Sequence, residues 1–106
     1  MPKPKLTILV TPTECGHCKE HLPEFLALIG KLQREGEVDA ELVDLEKRDV
    51  PYEVKRVPAF HFDDGAGCTK LTDLGKLKGG GLEGSIRAWM GKQSKVCARP
   101  AKRASA

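Results

Sequence analysis

Leu6-Thr7-Ile8-Leu9-Val10 is a short, nearly continuous apolar run that stops at Thr11-Pro12-Thr13. That pattern predicts a central strand buried on both faces. From Gly16 onward Leu22, Phe25, Leu26, Ile29 and Leu32 recur at helical spacing, which predicts one apolar stripe of a helix ending near Glu35-Gly36. Pro23 falls inside that helix, where it removes a backbone hydrogen bond and favours a kink. Val38 to Asp44 reads as a second strand with Val38, Ala40 and Leu42 on one face. Two strands joined by such a helix form a right-handed crossover and pair in parallel.

Residues 45–56 are charged and contain Pro51, so they read as a connection. Val57-Pro58 opens a third strand, Ala59 to Phe62, and Asp63-Asp64-Gly65 with Gly67 supplies the turn of a hairpin. Cys68 to about Leu74 is the return strand. After Gly75 and Gly79-Gly80-Gly81, Leu82, Ile86, Trp89 and Met90 mark a last helix, with a tail expected from Gly91 onward. No internal repeat interrupts this β-α-β, then β-β-α order.

With 106 residues, 40% of them hydrophobic and 31% charged, the chain has the makings of one domain with a modest core. We divide it into a domain over 1–92 and a basic, flexible tail over 93–106. No apolar run reaches the ~20 residues that cross a bilayer, and the amino end has no small-residue cleavage site, so a cytoplasmic protein is expected, which we take as a monomer. The net charge of +3 invites a nucleic-acid partner until the charges are located. Residues 1–91 hold thirteen Lys and Arg against fifteen Asp and Glu, a balance of −2. Residues 92–106 hold Lys92, Lys95, Arg99, Lys102 and Arg103 with no acid, a balance of +5. With one Tyr, one Trp and three Phe there is no stacking platform either. Neither a nucleic-acid nor a membrane partner is expected.

The four cysteines are unequally spaced: Cys15 and Cys18 are three apart, whereas Cys68 and Cys97 each stand alone. Cys15-Gly16-His17-Cys18 falls where the buried strand turns into the helix. Unpaired N–H groups and the positive end of the helix dipole there favour thiolate over thiol. Cys15 is the candidate nucleophile and Cys18 the thiol that resolves its mixed disulfide. His17, between them, favours the reduced pair.

These residues resemble the thioredoxin superfamily: the Cys-Gly-His-Cys string at a helix start, Pro23 eight positions after the first cysteine, and Val57-Pro58 opening the third strand. The resemblance covers roughly residues 5–92. It implies a four-stranded mixed sheet with helices on both faces and a thiol-disulfide oxidoreductase with no tightly bound cofactor. It further implies a cis Pro58 that presents the Val57 backbone to an extended substrate and keeps metal ions from the thiols. One strand precedes Cys15, as in a glutaredoxin-sized core, while Cys-Gly-His-Cys is the motif of protein disulfide isomerase domains. Gly80-Gly81-Leu82-Glu83 resembles the glutathione-holding turn of glutaredoxins, so Gly80 and Gly81 join Val57 and Pro58 as substrate-binding candidates and glutathione as a co-substrate. The departures are Pro12 where glutaredoxins carry Lys, Arg56 where they carry Thr, and Leu9 where thioredoxins bury an Asp serving the second cysteine. The implied partners are disulfide-containing proteins or glutathione, and a reductase or other dithiol donor.

Two other readings compete. The fold and tail can serve as a redox-controlled docking module without turnover, or Cys15, Cys18 and His21 can be metal ligands. His21 otherwise reads as a solvent-facing helix residue and His61 as a sheet residue between Phe60 and Phe62. Cys68 and Cys97 are two independent thiols or one disulfide, a choice that requires Cα atoms within about 7 Å.

Overall fold

The computed structural model describes residues 3–11, 13–14, 16–77 and 81–105, without the side chains of His17 and residues 98–105. The elements are β1 (Lys5–Val10), α1 (Gly16–Glu35), β2 (Asp39–Asp44), β3 (Ala59–Asp63), β4 (Thr69–Asp73), a single 3-10 turn over Leu74–Lys76, and α2 (Leu82–Ser105). They form one mixed sheet in the order β2-β1-β3-β4. The expected crossover is present: β1 pairs in parallel with β2, Leu6 opposite Ala40 and Ile8 opposite Leu42. β3 runs antiparallel to both β1 and β4.

The period-2 geometry of β1 sends Leu6, Ile8 and Val10 to one face and Thr7 and Leu9 to the other. The first face is sealed by both helices. Phe25, Leu28, Ile29 and Leu32 of α1 and Ile86 and Met90 of α2 share one core with Leu6, Ile8, Val10, Phe60 and Phe62. Phe25 meets Phe60 edge-on at 5.8 Å between ring centroids, and Trp89 meets Phe62 in the same way at 6.3 Å. Salt bridges from Lys31 to Glu83 and from Glu35 to Arg87 lace the two helices together along their rim.

The expectation of helices on both faces is therefore corrected. Among the described residues the second face carries only Leu9, Val43 and Ala59, covered by Leu45, Val50, Tyr52 and Val54 from the irregular segment 45–57. That segment holds Pro51 and has charged residues at Glu46-Lys47-Arg48-Asp49, so it has neither the run length nor the apolar stripe of a helix.

Two local expectations also shift. In α1 the buried stripe runs through Leu28, while Leu26 is 51% exposed. A side chain 100° around the helix from Phe25 turns away from the sheet, whereas Leu28 lies one turn beyond Phe25 on the same face. The domain boundary expected at 92/93 falls inside α2, which continues to Ser105. Gly91 costs such a helix about 1 kcal/mol. Beyond it, buried Cys97 forms a disulfide with Cys68 at a Cα separation of 5.7 Å, which answers the open question of that pair. No helix among the described residues is long and apolar enough to cross a membrane.

Candidate functional site

The antiparallel register fixes the geography of the site. Leu9 lies opposite Ala59, so the carboxyl end of β1 leaves the sheet at the edge where Pro58 enters it. The connection from β1 to α1 starts there with a turn in which the Glu14 N–H donates to the Thr11 carbonyl at 3.1 Å. α1 then begins at Gly16 and buries Cys18 completely in its first turn, within the core of the helical face. Cys15, Gly80 and the side chain of His17 lie outside the described residues. The chain neighbours of Cys15, Glu14 and Gly16, are both exposed.

Pro58 is buried and follows a cis peptide bond from Val57. Its carbonyl accepts the Leu74 N–H at 3.0 Å, which ties the end of β4 to the start of β3. Around it opens a hollow of about 300 Å³ lined by Arg56, Val57, Pro58, Asp73, Leu74 and Gly75. A second hollow, of about 340 Å³, touches His21, Glu24, Leu77, Gly81 and Ser85 and shares Leu74 with the first. The fold thus brings Val57, Pro58 and Gly81 to adjoining depressions with Leu74 as the ridge between them.

Gly81 has φ of +100°, a conformation that favours glycine, and its carbonyl accepts both the N–H and the hydroxyl of Ser85 as α2 starts. Glu83, in the first turn, is already engaged, by α1 and by the next turn of α2. Its carboxylate receives Lys31 at 3.1 Å and Arg87 at 2.8 Å, and the hydrogen bond from Lys31, then that from Arg87, holds its pKa below the usual carboxylate range. His21 is partly covered. Its Nδ1 lies 3.2 Å from Glu24 Oε1, and its ring leans on Phe25 at 6.0 Å.

One residue that sequence reasoning overlooked acts on the segment leading to Cys15. Glu46 accepts hydrogen bonds from both the backbone N–H and the hydroxyl of Thr13, and the side-chain bond leads in drawing its carboxyl pKa down. The Glu46 N–H donates to Asp44 Oδ1 at 2.9 Å, so a local turn at the end of β2 aims it. Nothing in the charged string Glu46-Lys47-Arg48 points to a partner 33 residues away. The contact comes from the parallel pairing of β1 and β2, prolonged by a hydrogen bond from the Leu45 N–H to the Val10 carbonyl.

On the opposite face, Tyr52 stacks on His61 with ring centroids 4.0 Å apart and planes 5° from parallel, and its side chain shares a hydrogen bond with that of buried Thr7. Burial lowers the His61 pKa. These groups settle the sheet face and lie away from the Pro58 end.

No family model matches the chain, and no curated protein matches it.

Proposed function

We propose that the chain is a thiol-disulfide oxidoreductase on a thioredoxin-like fold, working through Cys15 and Cys18. The observation that carries this reading is the complete burial of Cys18 in the first turn of α1, at the sheet end where Pro58 enters. A thiol so placed is closed to a bulky partner. It suits an internal attack on a mixed disulfide formed three residues earlier in the chain. The hollows around Val57, Pro58 and Gly81 give an extended substrate segment somewhere to lie.

The Cys15 thiolate attacks one sulfur of a partner disulfide, forming a mixed disulfide and expelling the partner's other sulfur as thiolate. The Cys18 thiolate then attacks Cys15, closing the 15–18 disulfide and releasing the second partner sulfur. Two electrons pass to the partner, and an external dithiol or a reductase restores the pair. His17 raises the potential by favouring the reduced form, toward about −180 to −230 mV. Protein disulfides are the favoured substrate class and glutathione the lesser co-substrate, because the Glu83 carboxylate already bridges Lys31 and Arg87.

The test is reduction of insulin and of a small aromatic disulfide. Wild type and a Cys68→Ser/Cys97→Ser double variant turn over; Cys15→Ser does not, and Cys18→Ser accumulates mixed disulfides after one attack. Full turnover by Cys15→Ser would refute the proposal. A potential near −270 mV against glutathione would remove the assigned role of His17.

A further inference from the structure

The tip of the β3–β4 hairpin meets the outer half of α2 at Cys68 and Cys97, at the sheet end opposite Pro58. Asp64 belongs to the same spot. Its Oδ1 accepts the N–H groups of Ala66 at 2.8 Å and Cys68 at 3.0 Å, which holds the carboxylate beside the Cys68 backbone. The two sulfurs and a carboxylate oxygen of Asp64 all lie within 4.8 Å of one another. Among the described residues this is the one place where three His, Cys, Asp or Glu donors converge.

Two thiolates and one carboxylate suit a tetrahedral ion of the Zn²⁺ class, whereas Ca²⁺ and Mg²⁺ take oxygen shells. Tetrahedral bonds of ~2.3 Å to sulfur and ~2.0 Å to oxygen place the two sulfurs roughly 3.8 Å apart and sulfur and oxygen roughly 3.5 Å apart. Donors already within 4.8 Å reach those separations by movements of about 1 Å, which side-chain torsions supply. Asp64 and Cys68 are half-buried and Cys97 is buried, so the site is sheltered yet reachable from the hairpin side.

We propose that Asp64, Cys68 and Cys97 form a redox-gated site for a Zn²⁺-class ion, closed by the disulfide when oxidised and open to metal when reduced. An external dithiol opens it: the dithiol becomes a disulfide, the Cys68–Cys97 bond breaks, and two electrons and two protons end on the cysteine sulfurs. Metal entry then displaces both thiol protons and leaves two thiolates and the Asp64 carboxylate on the ion, with water at the fourth position. Either closure ties α2 to the hairpin. Beyond Met90 the described side chains of α2 are exposed apart from half-buried Gln93 and Val96 and buried Cys97, so the clip holds the outer helix in place. The site is independent of the Cys15–Cys18 chemistry.

The test uses the full chain carrying Cys15→Ser and Cys18→Ser, reduced by a phosphine under nitrogen and titrated with Co²⁺, then with competing Zn²⁺. The reduced chain takes up one equivalent of Co²⁺ with thiolate-to-cobalt charge-transfer absorption, and the oxidised chain shows none. A further Cys68→Ser change abolishes the absorption. Asp64→Asn keeps an oxygen to accept the turn's N–H bonds but loses the anionic ligand, and weakens binding at least tenfold. Zn²⁺ raises the thermal midpoint of the reduced chain only. No charge-transfer band on reduction, equal binding by the oxidised chain, or Asp64→Asn binding as tightly as its parent overturns the proposal. The last outcome also exposes metal capture by unfolded thiols.

Discussion

The two faces of the sheet are covered in different ways, and the difference separates what holds the molecule together from what serves its candidate site. One face is sealed by α1 and α2 over a core rich in Phe, Leu and Ile. The other is covered by the irregular segment 45–57, which buries few apolar side chains and spends Tyr52 on the polar groups of Thr7 and His61. That segment also delivers residues to the Pro58 end of the sheet, since Glu46 reaches Thr13 and the segment closes on Arg56 and Val57 beside Pro58. A helix would have covered this face more thoroughly. The coil instead joins cover and site in one stretch of backbone.

The largest effect that breaks this comparison is expected on the helical face. Phe60→Ala removes a fully buried ring packed on Phe25 and costs about 3–5 kcal/mol in urea unfolding. Val43→Ala, the corresponding truncation under the coil, costs roughly 1.5 kcal/mol for two buried methyl groups. Equal costs would contradict the division between the faces. Cys97→Ser under oxidising conditions comes next. Opening a link with a sequence separation of 29 removes roughly 3–4 kcal/mol by the loop-entropy account, read from the shift in thermal midpoint. Tyr52→Leu, which ends the stack on His61, costs about 1 kcal/mol.

The pH profile sharpens the same contrast. Burial depresses the His61 pKa below 6.5, so the folded state favours neutral imidazole, and stability falls as pH drops from about 6.5 through the folded value. His61→Gln flattens that limb while leaving the loss below about 4.5, where Glu35, Glu41, Glu46 and Glu83 give up their partners as they protonate. An unchanged limb in His61→Gln would assign the acid loss to the carboxylates alone. The smallest expected effect is that of Glu46→Gln. Stability moves by less than about 0.5 kcal/mol at an exposed position. With one anion removed near the segment leading to Cys15, alkylation of Cys15 by iodoacetamide extends to lower pH.

Strand identity, the crossover and the hairpin were legible because each rests on a local signal: the apolar run of β1, the stripe of α1 and the turn at Asp64-Gly65. The choice between Leu26 and Leu28 was not, because both suit an amphipathic helix and only the angle at which α1 meets the sheet selects Leu28. Glu46 escaped for a related reason, as its partner lies in another element.

The sequence by itself determined the periodicities, the start of a helix at Gly16-His17-Cys18, and the division of charge between residues 1–91 and 92–106. Only the tertiary structure decided that both helices share one face, that α2 runs past Gly91, and that Cys68 and Cys97 meet beside Asp64. The first set follows from backbone geometry within about twenty residues. The second depends on how whole elements are carried together by the antiparallel register of β3 and the packing of α2, distances that no local pattern encodes.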